Sequence, residues 1–308
     1  MEPVLSVQDL TKIYEGKTPF IAVDKISFHL KKGEILGLLG PNGSGKTTTI
    51  QMLLGTLSPS AGKICYFGMD LAKKRSEILQ SVSFASTYTS LPYILTVSEN
   101  LQFFGRLYGL NPKEIEKIID PLLERFGILD KKKARISSLS AGQITRLMLV
   151  KAFFTKPKIV LLDEPTASLD PDVAKEVCEF LMENRDKTGL SILFTSHRME
   201  EAMELCDRTI FLKKGKIIAD DLPENLAKSV SLFQLSLTIA DGMKRTIDLA
   251  EKSNFAYKLD HRIITITISE KQIPDFLKRL VQNEISYTNI HIDEPSLEDY
   301  FIQVAKKL

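Results

Sequence analysis

Gly40-Pro41-Asn42-Gly43-Ser44-Gly45-Lys46-Thr47 follows an apolar run over residues 35–39 and leads into Thr48, Ile50, Met52 and Leu53. This is a complete G-x-x-x-x-G-K-[ST] loop between a buried strand and a helix, and it predicts a nucleoside triphosphate site. The strand aims the loop, and a helix beginning near Lys46 turns its free N–H groups and positive dipole end toward phosphate. The glycines keep side chains out, so backbone N–H groups can close on phosphate oxygens. Lys46 then neutralises the β- and γ-phosphates, and Thr47 offers a hydroxyl to Mg²⁺. With Gly at about 7% usage, the four fixed positions coincide by chance in roughly one chain of this size in a hundred. A Gly-rich turn with a stray lysine is therefore the poorer reading.

Upstream, residues 4–14 and 21–30 alternate apolar and polar positions, as at Ile26, Phe28 and Leu30, which predicts half-buried antiparallel strands. Downstream, the runs 159–162 and 191–194 are almost wholly apolar and each follows a helical pattern, the mark of central parallel strands covered on both faces. Between them, helical spacing dominates from 97 to about 126, with breaks expected near Asn111-Pro112 and at Pro121. Leu101, Phe104, Leu107 and Tyr108 fall on one face. A boundary is expected after Leu222-Pro223. Beyond it, Ile264, Ile266 and Ile268 alternate with threonines as a strand, and Ile273, Phe276, Leu277, Leu280 and Val281 take amphipathic helical spacing, with Pro274 in the first turn. A strand over 287–292 follows, then Ser296 as N-cap with Asp299 three residues on, opening a helix with Leu297, Tyr300, Phe301 and Val304 on one face.

The 308 residues suffice for one sizeable core and a smaller module. Hydrophobic content of 44% fits a globular protein, and 41 basic against 39 acidic residues imply no nucleic-acid field. The basic clusters 73–75 and 131–133 read as solvated surface. Cys65, Cys178 and Cys206 are odd in number and widely spaced, suggesting neither disulfides nor a zinc site, with reduced cytosol as the natural compartment. No stretch approaches the ~18 to 20 apolar residues that span a bilayer. His261 and His291 lack a second ligand at metal spacing and read as surface or structural residues.

Leu139-Ser140-Ala141-Gly142-Gln143, then a helical run through Leu147 to Val150, then Ile159-Val160-Leu161-Leu162-Asp163-Glu164-Pro165, strongly resembles the ABC, or ATP-binding cassette, ATPases. The resemblance covers roughly residues 1 to 225. Physically, it places two carboxylates at the exit of a buried strand, in the crevice where open α/β sheets bind ligands. By the resemblance, Asp163 supports Mg²⁺ mostly through water, while Glu164 is the general base that polarises the attacking water. His197, after the strand ending Thr195-Ser196, matches the family's switch histidine at the γ-phosphate. Ser168-Leu169-Asp170 resembles the loop that crosses a dimer interface. Tyr14 sits where the family stacks an aromatic ring on adenine, a core or surface tyrosine being the alternative. Ser140, Gly142 and Gln143 belong to the signature segment, which in the family caps ATP held by a second chain. The resemblance thus implies ATP and Mg²⁺, a head-to-tail homo- or heterodimer with two shared sites, and an integral membrane permease as partner.

Two departures stand out. Ala141 replaces the usual glycine, a mild change because Gly142 keeps the more demanding backbone position. Aligning 95–101 with the segment after the family's Q-loop puts Thr87 where glutamine normally reaches Mg²⁺. Thr87 then acts as a metal ligand through water, or the coupling is altered. The fold expected is α/β: a P-loop ABC ATPase core with an antiparallel β subdomain and a helical subdomain (about 88–152) within 1–225, plus a small α+β C-terminal domain at 231–308. The tail, ending in Glu294-Pro295-Ser296-Leu297-Glu298-Asp299-Tyr300-Phe301, is similar to the module on ATPases of bacterial exporters. The implied function is an ATP-hydrolysing subunit, cytoplasmic and peripheral on the inner face of the cell membrane, that powers a separate exporter permease. The alternative is a non-transport ABC ATPase acting on ribosomes or nucleic acid.

Overall fold

The computed structural model describes residues 3–16, 18–86, 91–230 and 232–306, with side chains to 301. Two compact units divide the chain, Met1–Pro223 and Glu224–Leu308. In the first, β1 (Leu5–Tyr14) and β2 (Phe20–Leu30) pair antiparallel, with Leu5 opposite Leu30 and Val7 opposite Phe28. Alternation sends Leu5, Val7, Leu10, Ile26, Phe28 and Leu30 inward, where all are buried. β3 (Ile35–Leu39) is buried throughout and delivers the chain to the loop before α1 (Lys46–Leu53). β4 (Ala61–Tyr66) and β5 (Met69–Asp70) complete a sheet of order β2-β1-β4-β5. α2 (Leu71–Leu79), capped by Asp70, leads to β6 (Val82–Ser86).

α3 (Val97–Leu107), α4 (Pro112–Arg125) and α5 (Ala141–Phe153) each open on a reciprocal capping box, formed by Thr96 with Glu99, Asn111 with Glu114, and Ser140 with Gln143. β7 (Ile159–Asp163), α6 (Pro171–Thr188) and β8 (Ser191–Thr195) follow, then α7 (Met199–Leu205), β9 (Arg208–Lys213) and β10 (Lys216–Asp221). The second sheet has the order β10-β9-β3-β8-β7-β6, parallel except for β10 at one edge. All positions of β7 and β8 are buried, as strands covered on both faces require. One hydrophobic cluster joins the two sheets through Leu10, Phe28, Leu38, Ile50, Leu161 and Leu193, so the loop is anchored from both sides.

Helical spacing overreached in two places and Pro121 misled in a third. Leu107 is 61% exposed, because the buried stripe of α3 is Val97, Asn100, Leu101 and Gly105. Pro121 does not break α4. Ile115, Ile119 and Leu123 are fully buried on one face and hold both halves, while Pro121 is exposed, where water can satisfy the carbonyl that its missing N–H leaves free.

Around and beyond the division come α8 (Pro223–Lys228), β11 (Leu232–Asp241), α9 (Met243–Lys252), β12 (Ala256–Asp260), β13 (Ile263–Ser269), α10 (Ile273–Gln282), β14 (Ser286–Asp293) and α11 (Leu297–Lys306). The sheet order β12-β13-β11-β14, antiparallel throughout, with a helix after β11 and another after β13, is a split βαβ arrangement. Leu235, Leu237, Ile264, Ile266, Phe276 and Leu280 form its core. Val281 is 66% exposed: its place at i+8 from Ile273 lies past the edge of the stripe. Ser296 and Asp299 exchange bonds at the start of α11.

Candidate nucleotide site

Gly45 has φ +108° and is the N-cap of α1 without any side-chain cap bond, and the first turn carries no acidic residue. The N–H groups of that turn are left for an anion. A Cβ on Gly40 would collide with the Leu212 carbonyl, and one on Gly45 would lie 2.5 Å from the Ala22 carbonyl. β9 and β2 thus press on the loop, and only glycine fits these positions at positive φ. Among the described residues the buried Ser44 hydroxyl has no hydrogen-bond partner. An orphan polar atom in such a loop marks a place where a ligand belongs. Pro41 is half-buried, Asn42 and Gly43 are exposed, and Thr48 is half-buried in the first turn.

The Lys46 Nζ donates to the carbonyls of Gly40 at 2.7 Å and Pro41 at 3.3 Å. Burial lowers its pKa, while the charges of Glu164 and then Asp163 oppose that shift. Its ammonium therefore sits desolvated beside two carboxylates, and an incoming phosphate would relieve it. Thr47 Oγ1 lies 3.5 Å from Asp163 Oδ2. Asp163, at 2% exposure, ends β7 and accepts from Thr195 Oγ1 at 2.8 Å. The same Thr195 oxygen accepts the Glu164 N–H at 3.0 Å. Glu164 is 8% exposed with φ +53°, left-handed backbone that a non-glycine residue adopts only under constraint. The neighbouring parallel strands β7 and β8 supply that constraint, and the Glu164 carboxylate reaches His197, whose Nε2 lies 2.5 Å from Glu164 Oε1.

Lys46, Thr47, Asp163, Glu164 and His197 are therefore brought together at the ends of parallel strands. The remaining expected residues stand apart: Tyr14, Ser140, Gly142, Gln143 and Asp170 share no hydrogen bond with that group among the described residues. Tyr14 is 40% exposed at the end of β1, with Lys12 Nζ 5.4 Å from its ring centre. Ser140 N–H donates to Gln143 Oε1 at 2.9 Å, and Gln143 N–H donates to Ser140 Oγ at 3.3 Å. A Cβ on Gly142 would come within 3.2 Å of the Ser168 carbonyl, which ties the signature segment to the 168–170 segment. Asp170 caps α6 without a side-chain bond. Thr87 lies outside the described residues.

Sequence reading missed Thr195 as the link between the two carboxylates, and also Glu201, a buried acid on α7. A usable signal existed for Glu201: it stands four residues before the buried Leu205, so an acid shares a face with an apolar residue. Among the described residues no helix is long and apolar enough to cross a membrane, and no group of three His, Cys, Asp or Glu could cage a metal.

A phosphate loop fed by a central strand, with two buried acids at the end of a strand two places away in the sheet, defines a P-loop nucleoside triphosphatase. The family model described as ABC transporter matches residues 23–167. The linearmycin resistance ATP-binding protein LnrL of Bacillus subtilis (strain 168) is 31% identical over 98% of both chains. The Nod factor export ATP-binding protein I of Neorhizobium galegae is 40% identical over 73% of this chain, a match that spans 64% of that relative's length. Among solved structures, cbiO1 from Clostridium perfringens, part of the transporter complex cbiONQ, superposes with a TM-score of 0.63 at 28% identity, covering 73% of this chain and 91% of its own. The chain belongs to the ABC transporter ATP-binding family and is an ATP-hydrolysing nucleotide-binding subunit of a transporter.

Proposed function

We propose that this subunit energises an exporter: it binds ATP with Mg²⁺ at the 40–47 loop, pairs head to tail with a second cassette, and drives a membrane permease from the inner face of the membrane. The observation that carries the hydrolytic part is one connected group, Thr47 to Asp163 to Thr195 to Glu164 to His197, next to an uncapped helix N-terminus. The export direction rests on relatives named for export and for resistance. Membrane attachment through a permease follows the cbiONQ assembly of a structural relative.

The donor set suits a hard cation. Thr47 and Asp163 offer oxygens alone and too few to form a cage, which is how Mg²⁺ is commonly held between protein, water and phosphate. When bound there, the ion neutralises charge on the phosphates. The chain's own residues do the rest. Lys46 exchanges its two loop carbonyls for phosphate oxygens, and the N–H groups of the first turn of α1 orient the chain of phosphates. Glu164 Oε accepts the proton of the attacking water, and the adjacent His197 Nε2 keeps that carboxylate and the water in line. Thr195 locks both acids in register through one hydroxyl. Ser140 and Gly142 present the N-terminus of α5 to the partner's ATP, which makes hydrolysis conditional on two chains.

Glu164→Gln tests the core of this reading. It should keep ATP affinity, lower turnover by about 10²- to 10⁴-fold, and accumulate as an ATP-dependent dimer in light scattering. Wild-type turnover in that variant would remove Glu164 from the base role. Pull-down from solubilised membranes should recover a multi-span permease, whereas recovery of ribosomes would favour a non-transport role.

A further inference from the structure

Glu201 is 7% exposed in the first turn of α7, and nothing in the hydrolytic group described above uses it. Its Oε2 accepts from Ser196 Oγ at 2.7 Å and from Thr166 Oγ1 at 2.8 Å, and its Oε1 lies 3.3 Å from the Arg198 guanidinium. Each partner sits beside a residue of the site. Ser196 and Arg198 flank His197, and Thr166 stands two residues after Glu164. Ser196 Oγ also accepts the Arg198 N–H at 2.9 Å, which closes the backbone turn that carries His197. Another arm of Arg198 donates to the Leu169 carbonyl at 3.3 Å, next to Asp170. One carboxylate thus gathers the turn after β8 and the segment after β7.

Hydrogen bonds to an ionised acceptor are roughly twice as strong as neutral ones. A buried carboxylate whose donors come from two separate loops therefore resists any relative movement of them, and a satisfied polar network specifies one arrangement where an apolar contact would tolerate several. The 2.5 Å separation of His197 and Glu164 needs such a constraint, because His197 sits on a short turn with its ring 42% exposed.

We propose that Glu201 is a positioning residue for ATP hydrolysis: it holds the His197 turn against the 164–169 segment so that His197 remains on Glu164, and through Arg198 it extends that hold to the Leu169 carbonyl. The proposal rests on the roles given above to Glu164 and His197. Glu201→Gln keeps the volume and removes the charge. In the nucleotide-free full chain, amide hydrogen exchange should quicken at residues 195–199 and 164–169 while the rest of β3, β7 and β8 keeps its protection. Turnover should fall roughly 10- to 100-fold, the scale of a misplacement of about 1 Å, with ATP affinity within about twofold of wild type. Adding Thr166→Val should lower turnover little further, because both changes break the same network.

Unchanged exchange, unchanged turnover, or an exchange increase spread over the whole unit would overturn the proposal. Should Glu201→Gln fail to fold, Ser196→Ala and Thr166→Val each remove one donor and carry the same measurements. Glu164→Gln run in parallel separates the two failures. If that variant still hydrolyses ATP, the reading of the site falls; if it is inert while Glu201→Gln behaves as wild type, only the role of Glu201 falls.

Discussion

The N-termini of α1 and α5 are built in opposite ways. α1 opens on Gly45 with bare N–H groups, an orphan Ser44 hydroxyl behind them, and a lysine whose pKa burial has lowered. α5 opens on a closed box in which Ser140 and Gln143 satisfy each other. The first end is incomplete until an anion arrives; the second is finished within the single chain. A satisfied cap stabilises by about 1 kcal/mol, so the chain holds firm the helix proposed to face the partner while leaving its own cradle open to nucleotide.

Four experiments would break or sharpen that contrast. Lys46→Ala should weaken ATP binding by at least about 100-fold in calorimetry, from the loss of charged hydrogen bonds worth about 1.5 to 3 kcal/mol each. Its Tm should barely change, because the lost ammonium is one that burial disfavours; a large fall in Tm with affinity retained would make Lys46 structural. Tyr14→Ala should weaken ATP by about 1 to 3 kcal/mol, or roughly 5- to 150-fold, and leave inorganic triphosphate binding untouched. Equal loss for both ligands would take the ring off the base. Ser140→Ala should lower turnover about tenfold and stability by about 1 kcal/mol, with ATP affinity of the single chain unchanged. If affinity fell as it does for Lys46→Ala, the two helix ends would not differ as described.

The smallest effect lies at the other end of α5. There Lys151 sits 4.9 Å over the Phe104 ring, with its pKa lowered by burial to about 8. Between about pH 8 and the unfolded lysine value near 10.4, the unfolded chain binds more protons, so stability rises with pH across that window. Wild type should therefore gain on Lys151→Met through that range in denaturant titrations. A constant difference would mean that the ammonium is solvated.

Contiguity decided what could be read from the sequence. Residues 35–39, 159–162 and 191–194 read as buried strands because a strand covered on both faces needs no alternation, and the 40–47 loop read as a cradle because its chemistry is local. Thr195, Thr166 and Glu201 could not be joined the same way. Thr195 lies 32 residues from Asp163, and Thr166 lies 35 from Glu201, so only parallel pairing of β7 with β8 brings them into reach. Helical periodicity found the stripes of α3 and α10 but not their width, which the neighbouring elements set; Leu107 and Val281 fell outside. Pro121 read as a break because the missing N–H is visible in sequence, whereas the apolar stripe that outweighs it is tertiary.

With the base role proposed for Glu164, its left-handed backbone sets folding against function at a single codon. A non-glycine residue there costs about 1 to 2 kcal/mol that glycine would not. Laboratory evolution toward heat resistance, with no requirement for turnover, should therefore enrich glycine at position 164 and yield sturdier chains that cannot hydrolyse ATP. In a comparison of natural sequences, an acid retained at a position whose backbone favours glycine would record continuous selection for catalysis, independent of what is transported.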